Sequence, residues 1–286
     1  MNFKVNFKMN FFKKSYSVRL IVFSCLAAIL LFVAVFAQFL CPCDPYEQNL
    51  EISLSAPSAQ HIMGTDRYGR DMFSRIIIGS HVSILSTLLL VLIITVFGTT
   101  VGMICGMFGG KVDAIVMRIS DICLAFPGLV FALAIAALLH GGVFSAVFAL
   151  ALISWPKYSR VARSQTMVIK DMPYIHAAVI SGSSGCQIMI RHILPNIAGQ
   201  IIVTAMLDIG TMMMELAGLS FLGLGAQPPV AEWGSMMSGS RSMLQTYPWV
   251  VLSPGIAIFI SVAIFNMLGD TVRDYLDPRN LNRNYK

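Results

Sequence analysis

Long apolar stretches that contain almost no charged side chains limit this chain to a narrow range of folds. A helix needs about 20 apolar residues to cross the hydrocarbon core of a bilayer. Stretches that reach or approach this length occupy residues 20–40, 82–108, 122–139, 143–155, 197–222 and 250–268. Only 12% of the residues are charged, about half the share in a soluble domain, which is too few to cover a soluble globule. The sequence therefore predicts an all-α, polytopic membrane protein and excludes an ordinary soluble enzyme, a disordered protein and a nucleic-acid-binding domain.

The distribution of Lys and Arg predicts the orientation of these helices, because basic residues concentrate in the cytoplasmic loops of membrane proteins. If six helices span the membrane and both termini are cytoplasmic, 16 of the 20 basic residues lie on the cytoplasmic side. The stretch at 143–155 is short, but without it the basic segment 156–196 would lie outside. The expected organisation is a cytoplasmic basic N-terminus (1–19), a first helix (20–40), an external segment (41–81), a five-helix core (82–268) and a cytoplasmic tail (269–286).

Two connecting segments are long and patterned. In the external one, Gly64 and Gly69 bracket an expected turn, and the alternating charges between them suit mutual pairing. The cytoplasmic segment 156–196 predicts two short helices separated by a Gly/Ser turn, lying where a soluble partner can transmit force to the membrane helices. Cys41 and Cys43 lie just outside the first span, but two adjacent thiols do not make a metal site.

Two acids interrupt the fifth apolar stretch. Asp208 and Glu215 are seven residues apart, nearly two helical turns, so both lie on one face of a helix about 10 Å apart. Thr211 and Met212 fall between them on the same stripe. A charge that faces lipid costs several kcal/mol, so we expect this acid pair to face a partner helix, water or a translocation path.

Small residues and prolines predict how the helices pack. Gly98, Gly102 and Gly106 form a ridge with a spacing of four residues, which lets another membrane helix approach closely. Pro127 and Pro254 lie inside apolar stretches, where each is expected to kink its helix.

Four motifs resemble the permease subunits of ABC importers in the dipeptide, oligopeptide and nickel branch. The first, Tyr174-x2-Ala177-Ala178-x3-Gly182 followed by His192-Ile193-Leu194-Pro195-Asn196, is similar to the family's EAA loop, with His176 where the family usually has Glu. The others are the G-T-D-x2-G-R-D-x2-S-R-x3-G pattern of residues 64–79, the L-S-F-L-G-L-G run at 219–225 with the following E-W-G at 232–234, and a terminal motif at 269–279. The matches cover the chain from about residue 16 to residue 279.

The resemblance implies a type I ABC importer permease fold with a cytoplasmic coupling loop at residues 171–196. It implies that this loop docks on a separate ATPase. The residues assigned to coupling are Tyr174, His176, Ala177, Ala178, Gly182, Arg191, His192, Leu194 and Pro195. The candidate translocation-path residues are Asp208, Thr211, Met212 and Glu215.

The resemblance also implies the partners: a second, non-identical permease, two ATP-binding subunits and an external substrate-binding protein. The chain itself has no Walker A motif, because Gly110-Lys111 is followed by Val112 rather than Ser or Thr. We therefore expect no cofactor and no enzymatic activity in this subunit, with ATP and Mg²⁺ bound by the ATPase partners.

The substrate stays open at the level of sequence. Nickel, free or chelated, is favoured because the segment 207–213 is more similar to nickel permeases, and Asp208 and Glu215 are possible transient metal contacts. The methionines at 212–214 form a soft wall for a metal complex, or simply fill gaps between helices. Dipeptides or oligopeptides are the alternative, since a carboxylate also binds an amine. An ion-coupled secondary transporter is a weaker alternative, because it leaves the long cytoplasmic loop unexplained.

Overall fold

The computed structural model describes residues 2–276, with side chains from residue 18 onward. Within this part of the chain the regular structure is helical, apart from a single β-bridge between Thr65 and Asp71. The α-helices are α1 (Asn2–Val35), α2 (Ala37–Leu40), α3 (Met72–Phe108), α4 (Gly110–Ala125), α5 (Gly128–Leu138), α6 (Val143–Lys170), α7 (Pro173–Ile180), α8 (Gly185–Ile188), α9 (Leu194–Phe221), α10 (Trp233–Ser240) and α11 (Pro248–Leu276). Short 3-10 turns cover Leu50–Ile52 and Arg241–Met243, and a π-helical turn covers Met189–Ile193. The last three residues of the terminal motif and the rest of the predicted tail lie outside the described residues.

The described helices include four that are long and apolar enough to cross a membrane: Val18–Val35, Met72–Phe108, Gly185–Phe221 and Pro248–Leu276. Helices α4 and α5 make a fifth candidate if they count as one span, bent by 94° at a break that contains Pro127. The proline expected to kink this span therefore breaks it. The remaining predicted span, 143–155, forms the first half of α6. By length and composition, α6 is not among the helices that could cross a membrane. The six-span topology stays a prediction.

Several helices differ in length from the apolar stretches that predicted them. Helix α1 ends at Val35 rather than at residue 40, and the short α2 follows after Phe36. Helix α3 begins at Met72, ten residues before its apolar stretch, because its first turns are buried in protein and so tolerate polar side chains such as Ser74 and Arg75.

The chain divides into two compact units, one formed by residues 1–87 and 206–286, and the other by residues 88–205. In the first unit, α11 packs against both α1 and α10. Its buried residues recur every three or four positions, which puts them on one face of the helix. This face includes Val250, Pro254, Ile258, Ser261, Phe265 and Gly269, and Val251 and Thr271 are buried beside it.

In the second unit, α4 and α5 pack against α6, and the predicted glycine ridge of α3 also lies on α6. A Cβ atom at Gly98 would lie 2.6 Å from the carbonyl oxygen of Trp155, and one at Gly102 would collide with that of Ser159. Gly106 continues the contact one turn further along. The ridge is therefore an intrasubunit contact in which helix backbones touch directly.

Candidate functional site

The predicted coupling loop folds into two short helices joined by a tight turn, as the sequence predicts. Pro173 occupies the first turn of α7, where the missing amide hydrogen of proline costs nothing. The helix ends at Ile180, and Ser181 follows as its C-cap. Gly182 comes next with φ of +85°, a conformation that glycine adopts without steric cost. Ser184 then caps α8 by accepting a hydrogen bond from the Gln187 backbone N–H, while the Gln187 side chain accepts one from the Ser184 N–H.

One buried residue anchors α7 to the protein, and most of its other residues are accessible to solvent. Ile175 is buried, whereas Tyr174, His176 and Ala177 are exposed and Ala178 is half-buried. The helix ends on an almost fully exposed apolar side chain, Ile180, at 87% relative accessibility. This exposed face contains the first four residues that the sequence assigned to coupling.

The structure brings the two halves of the coupling loop together. The rings of Tyr174 and His192 lie with their centroids 6.5 Å apart. Arg191 and Pro195 are exposed, and Leu194 is half-buried. The nine predicted coupling residues therefore lie on α7, on the turn at Gly182 and at the start of the helix that leads into α9.

A π-helical turn at Met189–Ile193 was not predicted from the sequence. It connects α8 to α9, so that Gly185–Phe221 is continuous helix. Ile188 and Ile193 are five residues apart and both fully buried. In a π turn, with its i to i+5 hydrogen bonds, residues five apart lie close to one face. The spacing of five residues between these two isoleucines is the sequence feature that could have predicted the π-helical turn.

The candidate path residues all lie on α9, with different exposures. Asp208 and Met212 are buried, Glu215 is half-buried and Thr211 is exposed. Met213 is also buried, so part of the methionine cluster fills space between helices. The two acids are seven positions apart, which is about 10 Å of helix.

Asn266 is a polar residue within an apolar stretch that the sequence analysis missed. It lies on α11, and its side-chain amide packs against Gly210, where any Cβ atom would collide with it. Gly210 is two residues from Asp208 and one from Thr211. A lone Asn within an apolar stretch is the signal that could have identified it, since polar groups in spans are costly unless they have a partner.

The external motif forms the expected turn, organised around a buried carboxylate. Gly64 and Gly69 have φ of +73° and +70°. One oxygen of Asp66 accepts the backbone N–H groups of Tyr68 and Arg70, at 2.8 and 3.0 Å. Its other oxygen pairs with the Arg70 guanidinium at 2.7 and 2.6 Å. The expected pairing of alternating charges is thus confirmed for this acid.

A second buried carboxylate fastens the E-W-G motif to the first turns of α3. Glu232 caps α10 by accepting hydrogen bonds from the backbone N–H groups of Gly234 and Ser235, both at 2.8 Å. Ser83 donates its hydroxyl to the same carboxylate at 3.2 Å and accepts the Trp233 backbone N–H at 3.1 Å. The Trp233 indole N–H also donates to the carbonyl of Ile76. A hydrogen bond therefore joins two of the sequence motifs, 64–79 and 232–234, directly.

Between these two motifs the first unit contains a cavity of about 190 Å³. Three arginines, Arg67, Arg70 and Arg75, line it together with Asp66. Ser220 at the end of α9 and Ser235 on α10 also line it. We call it the arginine cavity.

Cys41 and Cys43 lie just after α2 and contact the first turn of α3, at Ser74. Cys41 donates its thiol to the carbonyl of Ala37 at 3.1 Å, and Cys43 is exposed. Among the described residues, no group of three or more His, Cys, Asp or Glu side chains is arranged to hold a metal ion.

Known proteins match this chain over most of its length. The family model for the inner membrane component of binding-protein-dependent transport systems matches residues 98–282. The dipeptide transport system permease of Alkalihalophilus pseudofirmus is 43% identical, over 86% of this chain and 81% of that protein. The glutathione transport system permease of Pectobacterium atrosepticum is 40% identical, over 88% and 84%. The nickel transport system permease of Escherichia coli is 38% identical, over 94% and 97%.

A solved structure supports the same fold. The methionine ABC transporter MetNI, in inward-facing conformations, matches with a TM-score of 0.57 over 72% of this chain and 98% of that chain, at 18% identity. This confirms the type I permease fold. It follows from the family that the chain works with ATP-binding and substrate-binding partners. The chain belongs to the inner-membrane permeases of binding-protein-dependent ABC importers, in the group that includes dipeptide, glutathione and nickel permeases.

Proposed function

We propose that this permease forms half of the translocation path for nickel, free or chelated, across the cytoplasmic membrane. The observation that carries the proposal is the acid pair on α9, of which Asp208 is buried and Glu215 half-buried. Carboxylates attract a cation, and their position on a membrane-spanning helix is one that chains avoid unless the charge is used. Thr211 and Met212 between them complete the set of candidate path residues.

The coupling loop supports the proposal that ATP hydrolysis by a separate subunit drives transport. The exposed face of α7, with Tyr174, His176, Ala177 and Ile180, is a small apolar knob of the kind that docks in a groove of a soluble partner. In this proposal the partner is an ATP-binding subunit, which also binds the ATP and Mg²⁺ that the permease lacks. The full complex contains a second homologous permease, two ATP-binding subunits and an external binding protein. Both termini of this chain are cytoplasmic.

The mechanism is a two-state switch. Closure of the ATP-binding subunits around ATP draws the two coupling loops together and favours the outward-facing state, into which the binding protein releases substrate. Hydrolysis restores the inward-facing state. The substrate shifts this equilibrium only by the difference in its affinity for the two states.

Dipeptides are the second candidate substrate. The ammonium group of a peptide carries the same sign of charge as a metal ion, so the acid pair serves either. The 43% identity to a dipeptide permease supports this candidate, as the 38% identity over nearly the whole chain supports nickel.

The assembled complex in proteoliposomes distinguishes these substrates. We expect ATP-dependent uptake of labelled nickel, supplied free and as a histidine chelate, and we measure it beside uptake of a labelled dipeptide. Uptake of the dipeptide alone would reassign the substrate. Uptake that continues without ATP under an imposed proton gradient would contradict an ABC importer and favour a secondary transporter.

A further inference from the structure

The arginine cavity contains more positive than negative charge. Three of its lining residues, Arg67, Arg70 and Arg75, are cationic, and one, Asp66, is anionic. A guanidinium removed from water is costly unless an anion or hydrogen-bond acceptors compensate it. The excess of two positive charges makes the cavity attractive to an anion.

The Asp66 carboxylate is already saturated by protein donors. It accepts two backbone N–H groups and two N–H groups of the Arg70 side chain. Its nearest approach to Arg75 is longer, at 3.7 Å, and Arg75 donates instead to the carbonyl of Pro45 at 3.0 Å. A guanidinium has five N–H donors, so Arg75 keeps donors for a further acceptor although it is only 4% exposed.

Arg67 is the cation with the weakest protein partner. It is exposed, and its guanidinium stacks on the ring of Tyr68 at 4.7 Å from the centroid. Arg70 lies at 4.6 Å from the centroid of the same ring. No carboxylate of the described residues forms a salt bridge with Arg67. The tyrosine ring thus fixes two guanidinium groups in place without neutralising either.

The rest of the lining mixes serine and glutamine side chains with apolar ones, as in small-molecule sites that combine an apolar wall with a few polar groups for orientation. Met72, Met236 and Val250 contribute, and all three are buried. The volume of about 190 Å³ equals roughly six water molecules at about 30 Å³ each. This is room for a carboxylate with a short side chain.

We infer that the arginine cavity binds a carboxylate group of the transported molecule. The inference rests on the proposed function and deepens it. A dipeptide brings such a group at its C-terminus, and a histidine chelate of nickel brings the carboxylate of its ligand. Arginine suits this role because its planar fork holds a carboxylate with two parallel hydrogen bonds. A bare nickel ion would be repelled here.

The position of the cavity agrees with this role. Ser220, which lines it, is five residues beyond Glu215 on α9, about 7.5 Å of helix rise. A molecule that carries a cationic group and a carboxylate therefore meets complementary charge at both places on the same helix. The carboxylate enters the arginine cavity before the cationic group reaches the acid pair.

The test compares Arg67→Gln with Arg241→Gln in the assembled complex with its binding protein. Arg241 is an exposed arginine of the same unit that does not line the cavity, so its variant controls for loss of surface charge. Three labelled substrates are used: a dipeptide, nickel chelated by histidine, and free nickel. We expect Arg67→Gln to lower uptake of whichever carboxylate-bearing substrate the wild type carries by about tenfold, the effect of losing one charge-assisted hydrogen bond. The Arg241→Gln variant should match the wild type.

The concentration of binding protein that half-saturates ATP hydrolysis gives the second measurement. It should be the same in the wild type and in Arg67→Gln. An increase of the same size as the loss of uptake would assign Arg67 to an acidic surface of the binding protein and overturn the inference. Unchanged uptake in Arg67→Gln would also overturn it.

The wild-type controls separate this inference from the proposed function. If the wild type carries only free nickel, the proposed function stands and the carboxylate site is wrong. If it carries none of the three substrates, the proposed substrates are wrong and the inference fails with them.

Discussion

At the scale of single residues, the informative positions are those where a side chain is out of place for its surroundings. Asp208 is a buried acid in a membrane-spanning helix, and Gly210 is a residue whose missing side chain makes room for the amide of Asn266. The two positions are two residues apart. This part of α9 is therefore specified by charge and by close packing together.

Asp208→Asn tests the charge. The variant keeps the shape of the side chain and removes its attraction for a cation, so we expect uptake to fall by about 10- to 100-fold, the range of a hydrogen bond to a charged group. Glu51→Gln, at an exposed acid on the 3-10 turn, should have no effect. Purification of Asp208→Asn with its ATP-binding partner should be normal; loss of that assembly would indicate a structural role for Asp208.

Gly210→Ala tests the packing. The added methyl group collides with Asn266, and overpacking of this kind costs about 1–3 kcal/mol, so the thermal unfolding midpoint of the complex should fall. Gly218→Ala, on the same helix with nothing within 4 Å of the added atom, is the matched control. Adding Asn266→Ala to Gly210→Ala should restore the midpoint. No recovery in the double variant would place the collision elsewhere.

At the scale of helices, two elements carry the argument: the glycine ridge of α3 and the coupling loop. The ridge brings backbone against backbone, so it is intolerant of any side chain. The loop depends on a turn whose backbone conformation glycine adopts most easily. Both are cases in which a missing side chain is the functional feature.

For the ridge, we expect Gly102→Ala to destabilise the permease by about 1–3 kcal/mol, because the added atom meets the backbone of α6. Gly128→Ala is the control, since the nearest atom to its new Cβ is a side-chain carbon of Ile153 at 3.6 Å, an ordinary contact. The fraction of protein that stays monodisperse after heating in detergent measures the difference. If the monodisperse fraction falls equally in both variants, close packing at the ridge is not what stabilises the permease.

For the loop, we expect Gly182→Pro to uncouple ATP hydrolysis from transport. Gly182 has φ of +85°, whereas proline requires about −65°, so the turn between α7 and α8 must rearrange. A cost of about 1–2 kcal/mol corresponds to about a 5- to 30-fold loss of substrate transported per ATP hydrolysed. Gly199→Ala, in α9 with open space around it, should behave as wild type. Unchanged coupling in Gly182→Pro would mean that the coupling loop is assigned to the wrong segment.

At the scale of the whole molecule, the predicted orientation awaits a direct measurement. Cys43 and Cys186 are both exposed, and the predicted topology puts them on opposite sides of the membrane. We compare two variants, one that retains only Cys43 and one that retains only Cys186, by their labelling in intact cells whose outer envelope has been made permeable. A membrane-impermeant maleimide should label Cys43 there and should reach Cys186 only after the cells are lysed. The reverse pattern would invert the topology.

A third variant, which retains only Cys41, serves as a control for that measurement. Burial raises the pKa of its thiol above the ordinary value. Since the thiolate is the reactive form, a raised pKa means less thiolate at any pH below it, and slower labelling than at the exposed Cys43. Raising the pH toward 9 should speed labelling of Cys41 while leaving it the slower of the two. Equal rates at neutral pH would contradict its burial.

Most of the fold followed from the sequence. Apolar runs located the long helices because hydrocarbon tolerates little else, and the Gly/Ser run at 181–185 predicted the turn between α7 and α8. The assignment of this segment to coupling stays a prediction. The extension of α3 back to Met72 and the π turn at Met189–Ile193 did not follow, because polar residues buried in protein and apolar residues spaced by five resemble loops. Asn266 and the arginine cavity were missed because they depend on which distant segments meet.

The Glu232 contacts have a consequence for synthesis of the chain. Ser83 and Ile76 receive their partners, Glu232 and Trp233, from positions about 150 residues later in the sequence. During translation, Ser83 and Ile76 therefore lack these hydrogen-bond partners while the ribosome adds more than half of the protein. Nascent chains halted before residue 232 would expose the first turns of α3 to membrane proteases, whereas chains released after α10 would have closed them. The contacts of the E-W-G motif therefore form only after more than two thirds of the chain has been made.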